Sequence, residues 1–437
     1  MLEEVLEEAK ALVVPDEPER RFMKALAAKV LERVREEAEK SRHRPKVVLG
    51  GSVAKGTWLK GEADVDVFLK FPKDVGREVL EDEGIRIGME ALKEYKPYLR
   101  YAEQPYVECM VRGRKVNVVC CYDVGKGEWR TVADRSPFHV ELVSSMPDEQ
   151  KDEVRLLKRF MKTLGIYGAE ISVQGFSGFS CEVLIMKFGS FLEVLRKVSE
   201  LKEGDLNRIL LDPVDPRRNL AAAVSKEAWA KLILASRAFL RRPSLDYFTP
   251  RVAKGPKYGE ILEGLELVVF NHSKRSPDVL WGQLKRSLRR MKEAVSRAGF
   301  GVVRASCSTD EVGESAFSFI LLNRELPKHE VRMGPKVFMK EDVDRFLKKN
   351  REKSKLFWIE GFRIYMLKDR DFTSFSEFFS RFRDNPLGIA PGLLEEFSKT
   401  ARLYEGRDAL EIGCGKDWMK AMIYGISSED ELVFGGY

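Results

Sequence analysis

Two aspartates one residue apart, Asp64 and Asp66, end the run Gly-Gly-Ser-Val-Ala-Lys-Gly-Thr-Trp-Leu-Lys-Gly-Glu-Ala-Asp-Val-Asp that occupies residues 50 to 66. They open an apolar stretch, residues 65–71, that reads as a buried strand. Side chains at i and i+2 of a strand share a face, about 6.6 Å apart along the backbone. Two carboxylates held that close repel each other. A divalent cation relieves the repulsion, and oxygen-only ligands suit Mg²⁺. The Gly-Gly-Ser turn leaves a second short strand and offers backbone N–H groups to a phosphate. The chemistry implied is metal-dependent transfer from a nucleoside triphosphate, in which two ions about 3.5–4 Å apart clamp attacking and leaving oxygens. Such a site calls for a third acid from a neighbouring strand.

The elements that must position these groups follow from periodicity. Residues 1–40 alternate apolar and charged residues at helical spacing, with Pro15 as a break. Lys46–Gly50 reads as a strand, residues 85–95 as a helix, and Pro105–Val111 with 115–122 as a hairpin about Arg112, Gly113 and Arg114. From 148 to 240 the chain reads as helix: Val154, Leu157, Phe160, Met161 and Leu164 form one face, residues 181–194 one nearly all-apolar helix, and 227–240 another. Strands return at Leu265–Asn271, 302–307 and 317–323, around a helix through Trp281, Leu284, Leu288, Met291 and Val295. Residues 341–384 hold a helix, a hairpin about Gly361 and a second helix whose Phe375, Phe378, Phe379 and Phe382 read as a core face. The last 50 or so residues are weakly patterned.

The expectation is an α+β, multidomain protein, since 437 residues exceed one ordinary core. Apolar residues are 44% and charged residues 33%, a balance that fits a thermophile surface. The net charge of +7 permits a polyanionic partner without demanding one. Cys109, Cys120, Cys121, Cys181, Cys307 and Cys414 include no CxxC pair and no zinc spacing, so they read as thiols in a reducing compartment. No apolar run reaches membrane-spanning length and the acidic amphipathic start is unlike a signal peptide. A soluble, cytoplasmic protein is expected.

Gly-Gly-Ser followed by Asp-x-Asp resembles the DNA polymerase beta nucleotidyltransferase superfamily. The wider sequence resembles the archaeal class I CCA-adding enzymes, the tRNA nucleotidyltransferases, nearly end to end. The resemblance is carried by Gly51-Ser52, Thr57-Trp58-Leu59-Lys60-Gly61, Arg135-Ser136-Pro137-Phe138-His139 and Glu153-Val154-Arg155-Leu156-Leu157-Lys158. It continues through Gly165-Ile166-Tyr167-Gly168-Ala169-Glu170, Gly175-Phe176-Ser177-Gly178, Asp212-Pro213-Val214-Asp215 with Arg218-Asn219, and Arg332-Met333-Gly334-Pro335. After about residue 385 it is poor.

The resemblance implies a nucleotidyltransferase head (1–140), a helical neck (141–255), a body (256–325 and 385–437) and a tail (326–384). It implies Mg²⁺ on Asp64, Asp66 and the residue at 117. Gly51, Ser52 and Lys55 would meet the triphosphate, and Ser136, His139, Lys158, Tyr167 and Arg218 would line the nucleotide pocket. The reaction implied is attack of the tRNA 3′-hydroxyl on the α-phosphorus of CTP, twice, then of ATP. The acceptor stem and TΨC arm of tRNA are the implied partner surfaces, and some members are homodimers. The basic stretches 285–290 and 348–355 are candidates for backbone contact, or simply solvated helix faces.

Two departures stand out. Lys55 replaces the family's more frequent arginine and so loses a bidentate fork. Asn117, in Val116-Asn117-Val118, replaces the third acid; an amide offers one carbonyl oxygen, no charge and no base. Three explanations stay open: an engineered inactivating change, natural slower or altered chemistry, or a degenerate tRNA binder. With the hairpin closed about residues 113 and 114, Met110 would pair with Asn117 and Glu108 would lie diagonally on the same face as a substitute acid. Alternatives to CCA addition are a poly(A) polymerase-like or oligoadenylate synthetase-like enzyme, and a non-catalytic tRNA-binding protein. Tyr167 and His139 can also be read as packing residues, Lys55 as a solvated helix lysine, and Arg218 as the ion-pair partner of Asp215.

Overall fold

The computed structural model describes residues 2–101, 104–206, 208–250, 255 and 259–435. The chain divides into two units, Met1–Val252 with Asp430–Tyr437, and Ala253–Glu429. The boundary expected at 255–256 falls in a stretch of which only residue 255 is described.

The first unit begins with α1 (Leu2–Val13) and α2 (Glu17–Glu39). The helices are separate because Pro15 breaks the ladder and Asp16 caps α2, its side chain accepting from the Glu19 N–H at 3.0 Å. Five strands follow: β1 (Lys46–Gly50), β2 (Val65–Pro72), β3 (Tyr98–Tyr101), β4 (Pro105–Val111) and β5 (Arg114–Asp123). Their order is β1-β2-β5-β4-β3; β2 and β5 run parallel and the other pairs antiparallel. A short helix, α3 (Gly51–Lys55), joins β1 to the β2 approach, and α4 (Arg77–Ala91) supplies the crossover after β2.

The strands alternate. Val65, Val67, Leu69 and Phe71 of β2 and Val116 and Val118 of β5 are buried in one core with Met23, Val30 and Val34 of α2 and Leu80 and Ile87 of α4. Asp66 and Asn117 are therefore on the opposite face. Helix α4 lies so close to the sheet that a Cβ at Gly84 would stand 1.7 Å from the Cys120 sulfur. The helix expected at 85–95 thus begins eight residues earlier, and the edge strand β3 was not anticipated.

The helical part comprises α5 (Ser136–Ser144), α6 (Asp148–Thr163), α7 (Gly178–Phe188), α8 (Phe191–Ser199) and α9 (Lys226–Arg241). The single apolar helix expected over 181–194 is two: Gly189 takes φ +89° and Ser190 caps α8 by accepting from the Glu193 N–H. Phe160, Phe191, Phe239 and Phe248 meet at the centre of this layer.

In the second unit β6 (Leu265–Asn271), α10 (Pro277–Ala298), β7 (Val302–Thr309) and β8 (Glu314–Leu321) precede β9 (His329–Lys336), α11 (Lys340–Asn350), β10 (Ser354–Glu360), β11 (Arg363–Asp369), α12 (Phe375–Asp384), α13 (Pro391–Thr400), β12 (Arg402–Glu405), α14 (Gly406–Cys414) and α15 (Asp417–Ser427). An antiparallel sheet of order β12-β6-β8-β7 is covered on one face by α10, α12 and α13, with Phe375, Phe378, Phe379 and Phe382 buried as expected. Met419, Met422 and Ile423 of α15 pack on the other face. A separate sheet, β10-β11-β9, carries α11. The last described helix, α16 (Glu431–Phe434), belongs to the first unit, where the Tyr247 hydroxyl donates to the Leu432 carbonyl at 2.8 Å. Residues 430–435, read with the body from sequence, thus belong to the first unit. Among the described residues no helix is long and apolar enough to cross a membrane.

Candidate active site

Asp64 lies immediately before β2 and Asp66 within it, both half-buried. In the parallel ladder Asp66 is level with Asn117 of β5. The Asn117 Nδ2 donates to Asp66 Oδ1 at 2.8 Å, while its own Oδ1 is buried without a hydrogen-bond partner. Burial raises the Asp66 carboxyl above its ordinary range, against the Asn117 hydrogen bond and the Lys55 charge. Burial and then the charge of Asp66 raise Asp64 in the same way, with Glu108 adding to the effect. Two half-buried acids and an orphaned amide oxygen offer hard, all-oxygen donors, which suit a hard divalent cation. Among the described residues no three His, Cys, Asp or Glu side chains gather as a metal cage. The position level with Asp66 contributes an amide oxygen but no charge.

Glu108 is directly opposite Asn117, a correction to the expected register. The two-residue turn Arg112-Gly113, with φ +50° and +77°, closes the hairpin one residue earlier than expected, so Met110 pairs with Lys115. The Glu108 carboxylate is engaged on its other side, accepting from the Tyr98 hydroxyl and, at 3.5 Å, from Arg100 Nε.

The turn from β1 into α3 is built around Asp66. Gly51 takes φ +63°, and a Cβ there would stand 1.7 Å from Asp66 Oδ2. A Cβ on Gly50 would stand 2.1 Å from the Phe68 ring. Glycine at both positions lets the turn carrying half-buried Ser52 lie against the acidic strand. Arg155 of α6, fully buried, fastens the next segment by donating to the carbonyls of Trp58 and Gly56.

Lys55 and Lys158 meet at a residue that sequence reading passed over. Glu182 of α7 is 1% exposed. Its Oε2 accepts from Lys55 Nζ at 2.8 Å, and its Oε1 accepts from Thr57 Oγ1 at 2.6 Å and Lys158 Nζ at 3.0 Å. Burial would raise its carboxyl; the charges of Lys158 and Lys55 outweigh that and bring it down to about 2. Lys55 is therefore no solvated helix lysine. The signal was available: Glu182 is the one acid in the apolar run Phe-Ser-Cys-Glu-Val-Leu-Ile. The Tyr167 hydroxyl and Lys158 Nζ both lie near Gly178, at 3.0 and 3.6 Å from where a Cβ would stand, and burial pushes the Tyr167 phenol up.

His139 is buried, stacked on Phe179 with ring centroids 3.7 Å apart, and its Nε2 is 3.0 Å from Asp212 Oδ2. Burial lowers the imidazole pKa despite that carboxylate. Arg218 Nη1 also donates to Asp212 Oδ2, at 3.3 Å; its ion-pair partner is Asp212, not the expected Asp215. Asp215 is taken by Arg135 and Arg217. Ser136 opens α5 one turn before His139. All of these residues belong to the first unit.

Three family descriptions match the chain in order: a nucleotidyltransferase domain over 28–139, the second domain of tRNA nucleotidyltransferase over 152–249, and the C-terminal domain of the CCA-adding enzyme over 265–390. The CCA-adding enzyme of Pyrobaculum islandicum is 36% identical over 401 residues, covering 86% of this chain and 92% of that protein. The chain belongs to the CCA-adding enzyme family. Another family member, the CCA-adding enzyme of Saccharolobus shibatae, is 36% identical over 381 residues, covering 83% of this chain and 88% of its own length. Among solved structures, the Cid1 poly(U) polymerase is similar with a TM-score of 0.44 and 13% identity, over 56% of this chain and 98% of that one. Within the family frame Asp64, Asp66 and Asn117 fall in the nucleotidyltransferase match, and Lys158, Tyr167, Glu182 and Arg218 in the second-domain match.

Proposed function

We propose that this chain adds C, C and A to the 3′ end of tRNA from CTP and ATP, in the cytoplasm and without a nucleic-acid template. The observation that carries the reading is the Asp64–Asp66 pair, with Asp66 held against the Gly50-Gly51 turn and level with Asn117. Family membership supports it. Asp64 and Asp66, with the Asn117 carbonyl, would hold Mg²⁺, which would supply positive charge for the attacking hydroxyl and the leaving pyrophosphate. Ser52 and Lys55 bind triphosphate oxygens beside those acids. His139, neutral at physiological pH because it is buried, and Phe179 give the nucleotide pocket a flat wall. Arg218, anchored on Asp212, presents its remaining N–H donors to the base. Tyr167, kept protonated by burial, is available as a hydroxyl donor. Asn117 accepts no proton, so the 3′-hydroxyl has no base from that position.

The head, neck, body and tail division (1–140, 141–255, 256–325 with 385–437, and 326–384) is part of the proposal, except that residues 430–435 go with the first unit. So are the acceptor stem and TΨC arm as tRNA contacts and a homodimeric state. The test is a gel assay on tRNA ending before CCA, with CTP and ATP supplied separately and together in Mg²⁺. Two additions from CTP and one from ATP are expected; ATP accepted alone on arbitrary RNA would point instead to a poly(A) polymerase-like or oligoadenylate synthetase-like enzyme. Asn117 favours a second reading, a non-catalytic tRNA binder, and tight tRNA binding with no incorporation in Mg²⁺ or Mn²⁺ would establish it.

A further inference from the structure

Lys158 has three N–H donors, and all three are spent inside the protein. They go to the Thr57 carbonyl at 3.1 Å, the Thr57 hydroxyl at 3.0 Å and Glu182 Oε1 at 3.0 Å. Lys55 is different. One donor goes to Glu182 Oε2 at 2.8 Å, and its ammonium stands 4.9 Å over the Phe179 ring. Its charge is felt at Asp66 on one side and at His139 on the other. The ammonium with donors to spare thus lies over Phe179, the ring stacked on His139, at the end of a chain of contacts: Lys158 and Thr57 fix one oxygen of Glu182, and the other oxygen fixes Lys55. Thr57 and Lys158 are themselves fully or almost fully buried, so the chain has a rigid base.

We propose that Glu182 is the positioning residue of the triphosphate site, holding Lys55 where its free N–H groups meet the phosphate oxygens. The inference rests on the nucleotide-binding reading above. It has a specific chemical consequence. Glutamine at 182 has the same shape, but its single carbonyl oxygen can serve either the Thr57–Lys158 side or the Lys55 side. Two donors converge on the Thr57–Lys158 side and one on the Lys55 side, so the oxygen turns to Thr57 and Lys158 and the amide N–H₂ faces Lys55, donor against donor. The fold is kept and Lys55 is released.

The experiment is a double-mutant cycle of Glu182→Gln and Lys55→Met, read as KM and kcat for CTP on tRNA ending before CCA, with thermal midpoints alongside. The expected result is a KM raised about tenfold by E182Q, from loss of one charge-assisted contact, with kcat changed less than about threefold. In the K55M background E182Q changes KM by less than about twofold, because the residue it positions is gone. An unchanged KM, or an equal rise in both backgrounds, overturns the proposal, since a merely structural role would act regardless of Lys55. If E182Q gives no soluble protein, Thr57→Val, which frees Oε1 of its 2.6 Å partner and leaves every charge, is read in the same cycle. The expected KM rise is then about threefold and again confined to the Lys55 background. If the wild type turns over no nucleotide, the same variants are read as CTP dissociation constants by calorimetry. CTP binding that follows the cycle upholds the role of Glu182 while the catalytic reading falls; no CTP binding by the wild type ends both.

Discussion

Asn117 occupies the position where chemistry and structure disagree most. It is level with Asp66, hydrogen-bonded to it, and leaves an oxygen unpaired in a buried place. An amide there quiets the repulsion between neighbouring carboxylates but withholds the charge that two ions and a deprotonating hydroxyl call for. Asn117→Asp is therefore expected to raise the CTP incorporation rate by about 10²-fold or more. A change under about threefold would mean that position 117 is not a third ligand. Glu108 is opposite, but Tyr98 and Arg100 already engage its Oε1. Acid titration speaks to two other residues. Glu182 and Asp212 each have a folded-state carboxyl brought down to about 2, by Lys158 and Lys55 in one case and by His139 and backbone N–H groups in the other, both against burial. A depressed folded pKa stabilises above the unfolded value and is lost as pH falls. The first unit is expected to lose stability between about pH 4.5 and 2, and Asp212→Asn to flatten that slope in far-UV circular dichroism.

At the scale of elements, two glycines with positive φ separate site architecture from helix termination. Gly51 turns β1 into α3 against Asp66, whereas nothing stands within 4 Å of a Cβ at Gly189, which ends α7. Gly189→Ala is expected to cost about 1 kcal/mol, from backbone strain alone, with CTP kinetics unchanged. Gly51→Ala adds a collision with the Asp66 carboxylate. It is expected to cost more than about 2 kcal/mol and to remove most activity. Urea unfolding and the tRNA assay read both variants; an active G51A would show that the turn need not lie on the acidic strand. The same two elements explain a sequence-level miss. The run 181–194 is apolar throughout, so periodicity had no signal for the break at Gly189 and Ser190, and only the glycine and the cap mark it.

For the molecule as a whole, the two units have different electrostatic weak points. In the second unit Glu266 is fully buried in the middle of β6. Arg324 Nε donates to its Oε1 at 2.6 Å, but Arg324 is shared with Glu405, and Oε2 has no partner. Burial above all, with Glu405 adding, raises this carboxyl to about 8 against the pull of Arg324. A raised folded pKa means that the folded state keeps a proton the unfolded chain has lost, so stability falls as pH rises from about 4.5 through 8. Glu266→Gln, which is neutral at every pH, is expected to raise the thermal midpoint at pH 8–9 and to leave it nearly unchanged at pH 5. An equal effect at both values would mean that Glu266 is ionised in the folded state.

The amino-acid order alone determined a great deal here. It specified the strand bearing Asp66 with Asp64 at its entrance, the Gly-Gly-Ser turn, the multidomain α+β class and the family, because alternation, glycine chemistry and long shared motifs are local properties of the chain. The departure at Asn117 was also visible without coordinates. What needed the tertiary structure was partnership. The register that sets Glu108 opposite Asn117 depends on a turn closing one residue earlier. The pairing of Arg218 with Asp212, and the convergence of Lys55, Thr57 and Lys158 on Glu182, join segments as much as 127 residues apart. Periodicity ranks a residue as buried or exposed, but it does not say which buried charge answers which; in a low-dielectric interior that choice is made by distance, and distance exists only once the chain has folded.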